Sequence, residues 1–310
     1  MRLVVPALAV AVLFSACVGN SFTEHGTGGA PGTGGKPGTG GAPGTGGKGT
    51  GGSGTGGART TVPSGTCPDV TTSVSYSINQ QYGNGIIAVD NNANKNYNFM
   101  SNWWSAFSNQ SEDIKGIGFT LHNTASSSSN NPLGFPSMFI GSYMGKGTKG
   151  SNLPKQVNAL SSVPTFIHSN ATSLDTSNFN VTYDVWFTSS SSLVTGSSPG
   201  SGGAYLMVWL FKPSKRQPRG TIALDGDVIA GVPGTWTVWY DGATNPPCVS
   251  FVSTTPLSNL DFDLNNFIQE AVDNKWGVTN SQYLSIVFGG TEVWGGGDGL
   301  QIKEFCADVK

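Results

Sequence analysis

Tyr283-Leu-Ser-Ile-Val-Phe-Gly-Gly-Thr-Glu-Val-Trp294 decides how the chain is read. It opens as an apolar, β-rich run. Gly289 and Gly290 then interrupt it, and a lone carboxylate, Glu292, follows with Trp294 two residues on. Residues two apart on a strand share a face, so Glu292 and Trp294 are expected to point the same way. A carboxylate beside an indole, with glycines that admit a close approach, suits a sugar-binding cleft. Apolar surroundings also raise an acid's pKa, as a general acid requires. An ordinary edge strand with an exposed glutamate accounts for the same residues, and on this stretch alone it is the simpler account.

Working outward, strand follows strand. Gly85 to Asp90, Ile114 to His122, Met138 to Tyr143, Ala204 to Phe211, Thr235 to Tyr240, Cys248 to Ser253, Tyr283 to Phe288 and Leu300 to Val309 read as strands. Asn178 to Phe187 alternates at Phe179, Val181, Tyr183, Val185 and Phe187, a period of two. Ser/Gly clusters at 124–131 and 188–203 read as loops. One segment differs. From Asp261 to Lys275, apolar residues fall at three- and four-residue spacings, with Asp261 placed to cap the start and Gly277 just past the end. Many short strands and one short α-helix predict an all-β fold, a β-jelly roll or sandwich of two curved antiparallel sheets.

The first sixteen residues carry one positive charge and a short apolar run, then reach Ser15-Ala16-Cys17. That pattern predicts an export signal of the bacterial lipoprotein type, with Cys17 acylated. Phe14 departs from the usual leucine three places before the cysteine, and a secretory signal cut elsewhere is the alternative. Residues 17–66 are a linker; within it, 26–58 repeat Gly-Thr-Gly-Gly-Ala/Lys-Pro, which has nothing to bury and reads as a flexible tether. Residues 67–310 are long enough for one large β domain. Charged residues make up 11% of the chain, well below the usual quarter, and the net charge is −2 with no basic run, so nucleic acid is not expected as a partner. His25, His122 and His168 stand apart, so neither metal nor cofactor is expected. With Cys17 lipidated, Cys67, Cys248 and Cys306 allow three pairings; Cys67 with Cys306 would tie the first strand to the last.

Ala204-Tyr-Leu-Met-Val-Trp-Leu210 puts Tyr205, Met207 and Trp209 on one face. Such a stripe is most often core, and on a curved sheet it also serves as a platform for stacking sugar rings. These segments resemble glycoside hydrolase family 12, the small jelly-roll endo-β-1,4-glucanases and xyloglucanases. Phe135-Pro-Ser-Met-Phe-Ile-Gly141 is similar to the family's Tyr-Pro-Ser strand. Leu153-Pro-Lys-Gln-Val-Asn-Ala-Leu-Ser-Ser-Val-Pro-Thr165 is close to its counterpart. Tyr183-Asp184, Leu206-Met-Val-Trp-Leu210, Pro218-Arg-Gly220, Ser250-Phe-Val252 and Gly290-Thr-Glu-Val-Trp294 follow in the family's order, so the resemblance covers about Cys67 to Lys310.

The resemblance implies a retaining pair of glutamates, about 5–5.5 Å apart, one attacking the sugar and one protonating the leaving oxygen. Glu292 falls on the acid/base position. The nucleophile position holds Tyr205, and a phenol with a pKa near about 10 is mostly neutral at pH 7. Asp184, in the family beside the nucleophile, is then a support for Tyr205 or an alternative base acting on water. Met207, Trp209 and Trp294 are expected to line the substrate site. The family's early Asn-Asn-x-Trp-Gly appears as Asn91-Asn-Ala-Asn-Lys95, which keeps Asn92 and lacks the tryptophan. Trp103 and Trp104 are near enough in sequence to replace it, or else simply pack in a loop. The expected partner is a β-1,4-glucan polysaccharide: cellulose, xyloglucan or mixed-linkage glucan. The expected protein is a monomer, lipid-anchored at the bacterial cell envelope or outer surface, with hydrolysis weakened by Tyr205. A non-catalytic polysaccharide-binding surface lipoprotein is the alternative, and a purely structural surface protein ranks last.

Overall fold

The structure, a computed structural model, describes residues 74–88, 95–104, 109–124 and 131–310. Cys17, Cys67, Asn92, the export signal and the tether lie outside the described residues. In chain order the strands are β1 (Ser75–Ile78), β2 (Asn84–Ala88), β3 (Asn96–Met100), β4 (Ser111–Lys115), β5 (Gly118–His122), β6 (Ser137–Tyr143), β7 (Lys146–Gly147), β8 (Lys155–Gln156) and β9 (Pro164–Ser169). They continue with β10 (Thr182–Thr188), β11 (Ala204–Trp209), β12 (Thr221–Asp227), β13 (Trp236–Asp241), β14 (Cys248–Ser253), β15 (Asn259–Asp263), β16 (Tyr283–Gly290) and β17 (Gln301–Ala307). Among the described residues one α-helix, α1 (Leu264–Asp273), lies between β15 and β16.

Two sheets form the expected sandwich. The smaller runs β1-β4-β5-β17-β9-β15 and the larger β12-β13-β14-β11-β10-β16-β6-β3-β2. Among the described residues every pairing is antiparallel but one: β11 and β14 run parallel, Tyr205 opposite Cys248 and Trp209 opposite Val252. The main core fills the space between the sheets. Tyr183, Val185, Phe187, Leu206 and Val208 of the large sheet join Phe119, Ile167, Phe262 and Phe305 of the small one. The alternation read at Val181, Tyr183, Val185 and Phe187 is therefore the inward face of β10.

Two elements differ from their expected limits. The helix begins at Leu264, capped by Asp263, whose side chain accepts from the Asn265 and Val163 N–H groups at 3.0 and 2.7 Å. Asp261 does not cap it, because residues 259–263 pair with β9 as a strand and Asp261 turns out toward His168 at 2.9 Å. The single strand expected over Ile114 to His122 is a hairpin, β4 and β5, that turns at Gly116 with φ of 60°. The reading of Gly289 and Gly290 as room for a ligand is also corrected. A Cβ on Gly289 would meet the Phe305 ring at 2.2 Å, and one on Gly290 the Pro136 carbonyl at 2.4 Å. These glycines admit the protein's own β17 and the entry to β6. Cys248 and Cys306 are both disulfide-bonded.

Candidate active site

Alternation on the large sheet leaves a second set of side chains facing away from the sandwich core. Cross-strand register arranges them in rows. One row runs Asp241 (β13), Cys248 (β14), Tyr205 (β11), Trp186 (β10), Ile286 (β16). The next runs Trp239, Ser250, Met207, Asp184, Phe288, Phe139. A third places Val252, Trp209, Thr182 and Gly290 side by side. Tyr205, Met207, Trp209, Trp186, Phe139, Phe288 and Trp294 form one apolar cluster on this outer face, with Trp104 and Trp239 packed against it. Tyr205 meets the Trp186 indole edge to face at 5.5 Å. Trp209 and Trp294 lie 6.2 Å apart at 58°.

Glu292 sits just past the end of β16 and is held by Asn180, just before β10. Asn180 Nδ2 donates to Glu292 Oε2 at 2.7 Å, the Glu292 N–H donates to Asn180 Oδ1 at 2.9 Å, and the Asn180 N–H donates to the Glu292 carbonyl at 3.1 Å. The backbone donor fixes which end of the amide is oxygen, so Nδ2 must face the carboxyl. Thr291 Oγ1 closes the clasp by donating to the Asn180 carbonyl. Val293 is clamped on both sides by bridges to Gly134 and Phe179, and it points into the main core while Trp294 joins the outer cluster. Glu292 and Trp294 thus share a side, although the regular strand ends at Gly290.

Glu292 is 1% exposed, and Oε1 is buried without a hydrogen-bond partner. Burial raises its pKa to about 8; the Asn180 hydrogen bond pulls it down and the neighbouring Asp184 pushes it up. The carboxyl is therefore protonated at neutral pH. Asp184 is raised to about 7 by burial, against the Trp186 indole N–H and the positive charge of Arg219. Its Oδ1 is buried and unpartnered as well. Tyr205 moves the same way: burial lifts its phenol to about 12. Ser198 and Arg219 pull the phenol down, but burial outweighs them, so it is neutral at pH 7.

Trp103 and Trp104 take different sides. Trp103 is fully buried in the main core, its Nε1 donating to Glu112 at 2.6 Å, whereas Trp104 is half-buried against the outer cluster. Among the described residues no group of His, Cys, Asp and Glu side chains could hold a metal ion.

Sequence reasoning gave no role to three residues here. Asn180 lies inside the strand read over Asn178 to Phe187. Arg216 and Arg219 lie in Lys212-Pro-Ser-Lys-Arg-Gln-Pro-Arg219, which holds four of the chain's sixteen Lys and Arg residues. That density, in a chain poor in charge, was the available signal. Arg216 lies over the Trp294 ring at 5.7 Å. Arg219 pairs with Asp241 at 2.9 Å.

Comparison with known proteins bears on the family and the fold. The glycosyl hydrolase family 12 model matches residues 95–310. The chain is 28% identical to "Endoglucanase S" of Pectobacterium parmentieri over 232 residues, covering 70% of this chain and 83% of that protein. It is 33% identical to "Xyloglucan-specific endo-beta-1,4-glucanase A" of Emericella nidulans, covering 50% of this chain and 61% of that one. Among solved structures, "Endoglucanase cel12A from Rhodothermus marinus" superposes with a TM-score of 0.65 at 27% identity, over 77% of this chain and 99% of that chain.

Proposed function

The chain belongs to glycosyl hydrolase family 12, and from that premise we propose that its outer face is a β-1,4-glucan cleft in which hydrolysis is weakened by Tyr205. Glu292 is the acid/base. Its pKa near 8 keeps a proton available at neutral pH, and Oε1, the oxygen without a partner, is the one free to deliver it. Met207, Trp209 and Trp294, each no more than 1% exposed, form the packed floor beneath the site, and the half-buried Trp104 supplies apolar surface for sugar rings. The observation that carries the weakening is the Tyr205 phenol, raised to about 12 at the place where an ionised carboxylate would attack. A neutral, buried phenol supplies no attacking anion, so bound glucan is held and protonation is poised while no glycosyl-enzyme forms.

The second reading, a polysaccharide-binding protein without catalysis, draws on the same observation. Asp184 marks the boundary between the two. With a pKa near 7 it is partly ionised at neutral pH, which suits a base acting on water in an inverting scheme. Reducing-end release from xyloglucan, mixed-linkage β-glucan and cellulose, measured beside binding to the same polymers, separates the readings. Binding with very slow release supports the weakened cleft, and binding with none supports the non-catalytic protein. Rapid release that survives both Tyr205→Phe and Asp184→Asn would refute this account of the site.

The same proposal places the protein at the bacterial cell envelope or outer surface. Cys17 carries the lipid and the Gly/Thr/Pro repeat spaces the domain from the membrane, as a coil spanning on the order of 30 Å. A glucan-acting domain gains from being held where polymer meets the cell. Cys17→Ser is expected to release the protein from membranes, and unchanged membrane association would remove the anchor from the proposal.

A further inference from the structure

The segment between β11 and β12 brings two guanidinium groups to the outer face. Arg216 lies over Trp294, which packs on Trp209 and follows Glu292 by two residues. No acidic side chain pairs with Arg216 among the described residues, and its Nε is buried without an acceptor. A buried guanidinium N–H with nothing to bond is costly and is ordinarily matched by an anionic acceptor. Arg219 comes from the other end of the same segment. Its Nε faces Asp241 at 2.9 Å, and its Nη2 donates to Thr244 Oγ1 at 2.8 Å and to the Pro246 carbonyl at 3.1 Å. These contacts leave Nη1 uncommitted among the described residues. Asp241, Cys248 and Tyr205 share one cross-strand row, so Arg219 stands at the Tyr205 end of the site while Arg216 stands at the Glu292 end.

The acids that face these cations do not cancel both. Asp241 is taken up by Arg219, the partly ionised Asp184 lies within range of Arg219 as well, and Asp175 acts on Lys215, so Arg216 is the cation left without an acid. Glu292 is neutral at pH 7, and Tyr205 puts an uncharged group where a carboxylate would repel an anion. A site for neutral glucan needs none of this. Resting on the reading of this face as a glycan cleft, we propose that it is selective for a carboxylate-bearing sugar, a β-linked chain containing uronic acid residues, with Arg216 and Arg219 recognising the carboxylate. A guanidinium held 5.7 Å over an indole is placed for such a partner. The sugar ring uses the apolar surface, and the carboxylate carried on C5 takes the paired N–H groups.

The test uses the full-length chain and two probes of equal length, neutral cello-oligosaccharide and the same oligosaccharide oxidised to uronic acid at C6. Calorimetric titration at low salt is expected to show the oxidised probe binding about tenfold more tightly or better, with the advantage shrinking as salt is raised. Arg216→Gln lies in a surface segment and is expected to reduce the ratio of the two affinities several-fold. Arg219→Gln is expected to do the same. Tyr205→Glu, which places a negative charge in the row, is expected to turn the preference toward the neutral probe. A wild-type ratio of one or less overturns the inference, as does a ratio that neither arginine substitution changes. If the neutral probe binds and the oxidised one does not, the glucan cleft stands and only this inference falls. If neither binds, both fall.

Discussion

Two glutamates in this protein have nearly the same immediate surroundings. Glu112, on β4, is fully buried; Oε1 accepts from Trp103 Nε1 at 2.6 Å and Oε2 has no partner. Glu292 is equally buried; Oε2 accepts from Asn180 Nδ2 at 2.7 Å and Oε1 has no partner. Burial raises the first to about 7 and the second to about 8. The second neighbours differ. Glu112 sits across from Ile78 on β1 and Leu121 on β5, both apolar core residues. Glu292 has Asp184 in electrostatic range, and its chain leads to Trp294 on the face where the second acid and the arginines gather. A protonated buried carboxyl is thus not in itself a candidate catalytic acid. A second titratable group within range and a place beside the outer-face cluster are what separate the two.

The largest expected effect breaks this comparison by rate. Tyr205→Glu is expected to raise β-glucan hydrolysis by about 100-fold or more, since a nucleophile normally contributes many orders of magnitude. On that background Glu292→Gln is expected to remove most of the gain, at least about 100-fold. Glu112→Gln is expected to change the rate by less than about tenfold, because its effect passes only through packing. Reducing-end assays on the three variants decide it; equal losses from the two glutamine substitutions would erase the distinction drawn here.

A smaller effect treats the two glutamates alike. Both have folded-state pKa values raised above the unfolded value, as does Asp184. Between the ordinary carboxyl range and about 8 the folded state therefore binds more protons than the unfolded state, and stability falls as pH rises through that window. Each pKa unit corresponds to about 1.4 kcal/mol, so each of the three groups contributes a fall on the order of several kcal/mol across the window. Denaturant melts between pH 4.5 and 8.5 are expected to show it. Glu112→Gln should flatten the part that ends near pH 7, and Glu292→Gln the part that continues to about 8. Stability that rises with pH over this range would contradict both assignments.

The smallest effect isolates one hydrogen bond. Trp103→Phe keeps the ring in the core and deletes the donor to Glu112, at a cost of about 1–3 kcal/mol. The Glu112 pKa should rise further, because that bond is among the interactions holding it down. The Glu292 titration should not move. A shift at Glu292 would mean that the two acids are coupled through the Gly134 bridges to Trp103 and Val293.

The sequence showed the fold and the outer-face residues to different depths. Period-two alternation placed β10 and β11 well, and Cys248 to Ser253 coincides with β14. β15 went unseen because Leu260 and Phe262 also fit the helical spacing that follows, and only pairing with β9 decides between them. The Tyr205, Asp184 and Glu292 positions were readable from colinear motifs, and the register puts the first two on adjacent strands of one face. Glu112 was missed although Glu112 and Ile114 alternate inward; a charged residue at an inward position looks like loop until its partner, Trp103, is brought up from elsewhere. The roles of Arg216 and Arg219 depend on where a loop folds, which no periodicity records.

The parallel pairing of β11 with β14 has one further consequence. Antiparallel neighbours can be joined by a two-residue turn, whereas a parallel pair cannot; the chain must travel back the full length of the strand before it can pair again. Here that return trip occupies residues 210–247 and carries Arg216, Arg219 and the β12–β13 hairpin. The segment that dresses the outer face is thus one the topology requires to be long. Substitutions in that connection therefore change what the outer face presents while Tyr205 and Met207 stay anchored on β11.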